Sequence, residues 1–536
     1  MITSLFLREN VLVVPRYFRA WARNVATHST GIVAYNSLTK CKMPIVTKSP
    51  NVVTWYVCGP TVYDSSHIGH AWCYVNFDIM RRVMENYFGL DVVQVMNVTD
   101  IDDKIIAKSE EQGVSAEHVA LTFELDFLKD MSELGVMQPT VITRVTNYMQ
   151  DIISFIDCII KNELAYVTSD GSVYFNLNSY TVLHKYGKLK PADVDGTEVD
   201  GSTLKKSPRD FALWKGQKYE SEPSWEAPWG KRGRPGWHIE CSAMASHVFG
   251  SWLDIHSGGI DLAFPHHENE EAQCCAYHNV KQWVGHWIHT KHLRLSGDVK
   301  MSKSLKNTIT IRDFLETHSA DVFRMLCVTS NYRSDLEYSD ASLNLARDLL
   351  NGFQNFLSDC RAFVEKPPKG CSVNQERLFE TLQEVKSQVR SHLADDFNTS
   401  QATTSVRSLI FTTQKEMMKK PAGQSGVPTR IEAIVAVSKF VSNYLQSLGF
   451  TGKERQVSGS DVMLKAIVDD AVGFRIRVRQ FALALDQTQL SKVERRKLIE
   501  ERRVLVDACD DLRRRFDARG VRLKDHQVAS SWSFSR

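Results

Sequence analysis

The sequence predicts an α/β protein: a Rossmann-like parallel sheet split by an insertion and followed by a mostly α-helical region. Three observations predict it. The stretch Trp55-Tyr-Val-Cys-Gly-Pro-Thr-Val-Tyr-Asp-Ser-Ser-His-Ile-Gly-His70 runs from an apolar strand through a Gly-Pro break into a helix start. Val52–Val57, the helix after His70 and the apolar run Asp91–Asn97 then read as one βαβ unit. After Ile311 helical spacing dominates, in Phe314–Thr329, Ala341–Val364, Glu376–Leu393 and Arg430–Leu448.

Composition bounds the reading. A chain of 536 residues holds several domains, and 43% hydrophobic with 24% charged residues is ordinary globular composition. A formal charge of +3 is too small to argue nucleic-acid binding from the total, so any such surface is local. Eleven cysteines with no short regular framework read as reduced thiols. No apolar run approaches the roughly 18 residues a membrane helix needs.

Along the chain, residues 1–40 carry Arg8, Arg16, Arg19, Arg23 and Lys40 against a single acid, Glu9. Acid-poor, Arg-bearing and amphipathic, they fit a mitochondrial transit peptide; a frayed extension is the plainer alternative. In the βαβ unit, Asp64, Ser65 and Ser66 supply N-cap chemistry. A helix N-terminus behind a Gly-bearing turn favours an anion such as phosphate, and Gly69, between His67 and His70, lets a flat base approach the backbone. Asp100, Asp102 and Asp103 follow the second strand; they suit a metal or, the reading preferred here, the cap of a helix from Lys104 to Glu111. Thr99 faces the crevice at the strand ends, where open α/β sheets bind ligands. Residues 115–165 read as helical, and 136–236, rich in Gly, Pro, Lys and Trp toward its end, as an insertion that interrupts the sheet. The sheet resumes with a helix from Ile239 and a strand at Leu253–His256. Pro265 suits the first turn of a helix, which puts His266 and Glu270 on one face.

Two groups of residues carry chemistry. Cys58, Cys241, His266 and Glu270 match Zn2+ in ligand type. Spacing does not single them out: Cys274, Cys275 and His278 form a rival set, and buried cysteines often serve only as small apolar residues. Lys300-Met-Ser-Lys-Ser-Leu-Lys306 is a basic loop whose lysines suit charge developing on a transferring phosphoryl or adenylyl group. A solvated charge run is its bland meaning.

Taken in order, Tyr56-Val-Cys-Gly-Pro-Thr-Val-Tyr-Asp64, His67-Ile-Gly-His70, Asn97-Val-Thr-Asp-Ile-Asp-Asp-Lys104, Gly233-Arg-Pro-Gly-Trp-His-Ile-Glu-Cys241, Pro265-His-His-Glu-Asn-Glu270 and Lys300-Met-Ser-Lys-Ser304 resemble the cysteinyl-tRNA synthetases, and with the leader their mitochondrial form. The resemblance spans about 50–350 and thins beyond 370. It implies a class I aminoacyl-tRNA synthetase that uses ATP with Mg2+ to activate L-cysteine and passes it to tRNA(Cys) in the mitochondrial matrix; no membrane insertion is expected, and the sequence leaves the oligomeric state open with a monomer favoured. It places zinc on Cys58, Cys241, His266 and Glu270, and cysteine against Gly59, Thr61, Thr99, Trp237 and His266. ATP falls to His67, Gly69, His70, Asp261, Ser302, Lys303 and Ser304, with His67, His70, Lys300 and Lys303 catalytic. The implied division is a transit peptide over 1–40, catalytic halves over 45–135 and 237–315, a connective insertion over 136–236, a helical stem-contact region over 316–365 and a helical anticodon-binding region over 366–536. A side activity, cysteine persulfide synthesis with pyridoxal phosphate on Lys104, Lys300 or Lys303, belongs to the same resemblance; a ligase that passes the adenylate to a small amine is the alternative. Trp72 and Cys73 depart from the pattern, where the family usually has an arginine and a small residue. Ala107 replaces the last lysine of the family's Lys-Ile-Ile-Lys element.

Overall fold

The structure, a computed structural model, describes residues 27–190, 204–295, 299–300, 308–368, 373–419, 430–452, 459–483, 492–518, 521–525 and 530–534. In chain order its elements begin with β1 (His28–Asn36), β2 (Cys41–Thr47), β3 (Val52–Val57), α1 (Ile68–Phe88), β4 (Asp91–Val98), α2 (Asp103–Gln112), α3 (Ala116–Glu133), β5 (Val141–Arg144) and α4 (Met149–Lys161). There follow β6 (Ala165–Val167), β7 (Val173–Phe175), β8 (Ala212–Gly216), β9 (Gly233–Pro235), α5 (Trp237–Phe249), β10 (Leu253–Gly259), α6 (Glu268–His278), β11 (Val284–Thr290), β12 (Leu293–Leu295) and β13 (Val299–Lys300). α7 (Ile311–Thr317), α8 (Ala320–Thr329), β14 (Leu336–Tyr338) and α9 (Asp340–Glu365) come next.

The central sheet is wholly parallel, in the order β11-β10-β3-β4-β5. Its first three strands in sequence run outward from β3; the chain then returns to place β10 on the other side of β3 and β11 beyond it. The strand order therefore reverses between β3 and β10, and the crevice at their carboxyl ends is where such sheets take ligands. A sheet covered on both faces needs near-continuous apolar strands. β3 obeys, with Val53, Trp55, Tyr56 and Val57 buried. β10 and β11 do not: His256, Ser257, His286 and His289 are buried on them as well. Buried polar residues in a central sheet signal a use beyond packing.

Sequence and structure part at three places in this unit. The first 26 residues of the expected leader lie outside the described residues, but 28–40, assigned to it as well, belong to the fold. β1 pairs with β2 antiparallel, and Asn36 ties the hairpin to β11: its Nδ2 donates to the Gly285 carbonyl at 3.0 Å, and its Oδ1 accepts from Trp287 N at 3.2 Å. β5 falls within both the stretch read as helical and the expected insertion 136–236, yet it pairs in parallel with β4 from Val95↔Val141 to Val98↔Arg144. Four residues with a single buried side chain, Thr143, leave no period to read. What interrupts the sheet is the antiparallel sheet β6-β7-β8-β9. It rests on α4, whose Ile152, Ile156 and Ile159 join a buried cluster with Trp214, Ile239 and Cys275. The cap of α1, expected from Asp64, Ser65 and Ser66, is His67 instead, because the Ser66 carbonyl accepts from Ile311 N at 3.1 Å and that segment is held extended.

The chain divides into two units, the first holding residues 1–344, 388–403 and 447–450, the second 345–387, 404–446 and 451–536. The first therefore takes back two short segments from the region that sequence assigned to the helical part. Asp396 shows why: it accepts from Tyr35 N at 2.9 Å, from the Tyr332 hydroxyl at 2.6 Å and from Arg333 Nε at 2.7 Å. Buried Arg324 donates to the Leu448 carbonyl at 3.1 Å and to Asp78 at 2.5 Å. The second unit is drawn mainly from helices: most of α9, then α10 (Gln375–Ala394), α11 (Thr399–Met417), α12 (Glu432–Ser447), α13 (Gly459–Leu483) and α14 (Lys492–Asp517), with a hairpin of β15 (Val521–Asp525) and β16 (Ser530–Phe534). Val468 and Val472 of α13 pack with Val521 and Leu523 of that hairpin. No helix among the described residues is long and apolar enough to cross a membrane.

Candidate active site

At the first turn of α1, the His67 Nδ1 accepts from Gly69 N at 3.1 Å, and the His70 Nδ1 accepts from His67 N at 3.3 Å. The two imidazoles thus satisfy the donors that serine and glutamate satisfy in an ordinary capping box. Their rings stack at 3.9 Å and 16°. Gly69 follows the cap, and the helix begins beside the carboxyl end of β3.

Gly59, just past β3, cannot carry a side chain: a Cβ there would lie 1.7 Å from the Asn97 carbonyl oxygen. Asn97 Oδ1 accepts from Gly59 N at 2.8 Å, and Asn97 Nδ2 donates to Thr99 Oγ1 at 3.3 Å. Thr61 and Thr99 form a bridge just beyond the strand ends. Thr99 Oγ1 also lies 3.4 Å from Glu240, whose carboxyl burial and then the nearby Cys241 hold well above the usual range. Asn97 and Glu240 were missed from sequence. The adjoining aspartates behave as the capping reading expected: Asp102 caps α2 by accepting from Lys104 N at 2.9 Å, while Asp103 pairs with Lys215 and Arg234.

Deeper in the crevice, four of the sequence-selected donors converge. Cys58 Sγ lies 3.9 Å from Cys241 Sγ, 3.6 Å from His266 Nε2 and 3.6 Å from Glu270 Oε1. His266 Nε2 and Glu270 Oε1 are 2.9 Å apart, so the expected shared face is realised even though the regular helix α6 starts only at Glu268, after an irregular turn over Ala263–His267. A fifth donor was missed: His267 Nε2 stands 3.3 Å from Cys58 Sγ. The doublet His266-His267 was the available signal, but a helical period assigns one of two neighbours to a face. Ligand atoms of Cys58, His266, His267 and Glu270 all lie within 4.8 Å of one another. The rival set does not assemble among the described residues: Cys275 Sγ approaches Glu271 at 3.6 Å, while Cys274 and His278 turn to Ser246.

Electrostatics suit a cation there. Every one of these side chains is buried. Burial raises the Glu270 carboxyl, but His256 and His266 outweigh it and hold it down to about 2; burial lowers His266, but Glu270 and Cys241 push it up to about 10. Burial and the neighbouring Cys241 and Glu270 raise the Cys58 thiol. His266 thus holds a proton that pairs with the Glu270 carboxylate, and a metal ion bound by both side chains would displace it. The distances from Cys58 to His266 and Glu270 agree: ligands about 2.0–2.3 Å from a tetrahedral ion sit roughly 3.3–3.8 Å apart, whereas His266 and Glu270, hydrogen-bonded at 2.9 Å, would have to separate slightly. A second layer orients the donors. His256 Nε2 lies 2.9 Å from the other Glu270 oxygen, His238 Nδ1 lies 2.9 Å from His266 Nδ1, and the half-buried Trp237 tilts over His266 at 4.4 Å. The residues present could hold a metal ion.

Asp261, exposed, follows β10 beside Gly259. Of the lysine motif, Lys300 ends β13, whose backbone pairs with β12; Ser302, Lys303 and Ser304 lie outside the described residues.

Residues 44–348 match the family model described as tRNA synthetases class I (C) catalytic domain. A probable mitochondrial cysteine–tRNA ligase of Xenopus tropicalis is 44% identical over 94% of this chain and 90% of its own length. The cytoplasmic cysteine–tRNA ligase of Dictyostelium discoideum is 37% identical over 94% of this chain and 78% of its own. Among solved structures, methionyl-tRNA synthetase of Mycobacterium tuberculosis with methionyl-adenylate superposes with a TM-score of 0.57 at 15% identity, over 74% of this chain and 91% of that one, a likeness of fold. With the ordered motifs, a reversed sheet and a relative this similar over nearly the whole length, the chain belongs to the cysteine–tRNA ligase family.

Proposed function

We infer that the protein activates L-cysteine with ATP, forming cysteinyl-adenylate and pyrophosphate, and then passes the cysteinyl group to the terminal ribose of tRNA(Cys). The observation that carries this reading is the buried cluster of Cys58, Cys241, His266 and Glu270 just past the carboxyl end of β3, in the same unit as the stacked histidines that open α1. In the first step the substrate carboxylate attacks the α-phosphate, so the protein supplies position and charge stabilisation and no nucleophile. His67 and His70 at the start of α1, with Lys300 and Lys303 of the lysine motif, act where negative charge grows; Gly69 makes room for the adenine and Mg2+ accompanies the phosphates. Asp261, Ser302 and Ser304 complete the ATP contacts. Gly59, Thr61, Thr99 and Trp237 enclose the amino acid.

Cys58, Cys241, His266 and Glu270 are the residues we assign to zinc, the donor set and its spacing being those of a thiophilic ion. When bound, zinc would give the substrate thiol a ligand position and ease its deprotonation near neutral pH. Serine, with its hydroxyl, matches such a site poorly. The second, helical unit is assigned to the tRNA stem and anticodon, and the Arg-bearing leader to import into the mitochondrial matrix. The persulfide activity with pyridoxal phosphate rests on family resemblance alone; of its three lysines, Lys104 holds its ammonium over the Tyr63 ring at 5.4 Å.

Cysteine-dependent ATP–pyrophosphate exchange followed by charging of tRNA(Cys) tests the reading. Purified protein that exchanges with serine as well as with cysteine, or that exchanges but never charges, would overturn it.

A further inference from the structure

Trp72 is a buried residue just after the paired histidines, and there the helix grips the link between β11 and β12. Ile68 and Trp72 lie four residues apart on one face of α1, and both are buried. The Trp72 indole Nε1 donates to the Lys291 carbonyl at 2.9 Å, and beside it the Thr290 hydroxyl donates to Cys73 Sγ at 3.3 Å. One turn earlier, Ile68 N donates to the Ile309 carbonyl at 3.0 Å, and His67 bridges to Thr310. The chain thus leaves the parallel sheet against one turn of α1 and comes back against the preceding turn. Between these two points β12 and β13 pair antiparallel, with Arg294 opposite Lys300.

Lys291 is held through both of its flanking peptide groups, its N–H donating to the Tyr332 carbonyl at 2.8 Å and its carbonyl accepting from the indole. Such a bond is not an automatic result of burying tryptophan. Among the described residues, the indole nitrogens of Trp214, Trp229 and Trp287 are buried with no partner.

We propose that Trp72 is a positioning residue for adenylate formation: through Lys291 it fixes the root of the β12–β13 hairpin, and with it Lys300, relative to His67 and His70. This rests on the assignment of those residues to ATP. The hydrogen bond acts on the nucleotide side of the crevice and leaves the cysteine side, built from Gly59, Thr99 and Trp237, untouched.

The test is Trp72→Phe, which keeps an aromatic ring and removes the donor, followed by pyrophosphate exchange with ATP and cysteine varied separately. The expected result is an ATP KM raised about three- to tenfold, the worth of one hydrogen bond, with the cysteine KM within twofold; the unfolding midpoint falls in either case, because the smaller ring leaves a cavity at a fully buried position, so the split between the two substrates decides. An unaltered ATP KM, or equal losses for both substrates, assigns the indole to packing and overturns the proposal. Where Trp72→Phe does not fold, benzothienylalanine at position 72 keeps the ring shape without the N–H. Normal ATP kinetics in that protein, or its failure to fold, overturns the proposal in the same way. Wild-type exchange reads the proposed function separately; were it silent, calorimetric ATP binding by wild type and variant still reads the effect of Trp72.

Discussion

Gly59 shows how tightly the site is built at the scale of single residues. Its missing Cβ is what allows the backbone after β3 to lie against the Asn97 carbonyl, 1.7 Å from where a methyl would stand. Gly59→Ala therefore forces the two strand ends apart, at about 1–3 kcal/mol for overpacking. A lower unfolding midpoint and a raised cysteine KM in pyrophosphate exchange are expected; an unchanged cysteine KM would show that the substrate does not meet this wall. At the donor cluster, Cys241→Ala and His266→Ala each remove one side of the arrangement. Both should lose zinc as measured by elemental analysis of the purified protein, together with cysteine activation. Retained stoichiometric zinc in Cys241→Ala would move the metal to Cys58, His266, His267 and Glu270. Which residues were legible follows from how sequence reports them. Cysteines far apart could be joined through the family resemblance, whereas His267 was hidden beside His266. Asn97 and Glu240 were hidden because a buried amide or acid carries no pattern until its partners are known.

At the scale of elements, β3, α1 and β4 were legible because each is a long apolar or amphipathic run bounded by breakers. β1 was not. Its buried Ile32 and Ala34 alternate with exposed or half-buried neighbours, and it follows directly on an acid-poor, Arg-bearing stretch whose composition also fits a targeting segment. The strand is structural. Asn36 is buried and bonded to Gly285, Trp287 and Leu38, so Asn36→Ala strands buried backbone groups at about 1–3 kcal/mol. Chains started at residue 27 and at residue 41 offer the direct comparison by thermal unfolding. The first should match the full-length protein, and the second should melt lower, since it lacks β1. Equal midpoints would make the hairpin dispensable.

For the whole molecule, the interleaving of the two units decides where the chain can be cut. Ending it at Pro367 removes 388–403 and 447–450, and with them Asp396 and the Leu448 carbonyl that first-unit residues bind. Such a truncation should lose adenylate formation through instability. Ending it at Gly452 keeps both segments; it should retain cysteine-dependent exchange while tRNA charging falls. Full charging by the Gly452 truncation would remove 453–536 from tRNA recognition. The sequence conveyed that helices follow the sheet, but not this exchange of segments. Helical periodicity reports which face of a helix is covered and says nothing of what covers it.

The reversal of strand order also sets a timetable for making the protein. Cys58 closes against Cys241 and Glu270, 183 and 212 residues further on. At about 5–20 residues per second, a ribosome needs roughly 10–40 s to deliver that partner after Cys58 has emerged. During that interval β3, α1 and β4 can form a βαβ unit, but its thiol has nothing to bind and the apolar edge of β3 that will receive β10 stands open. The nascent chain is therefore most exposed to oxidation and to mispairing in the middle of its synthesis: α5 brings Cys241 to the thiol, β10 closes the open edge, and α6 completes the cluster with Glu270.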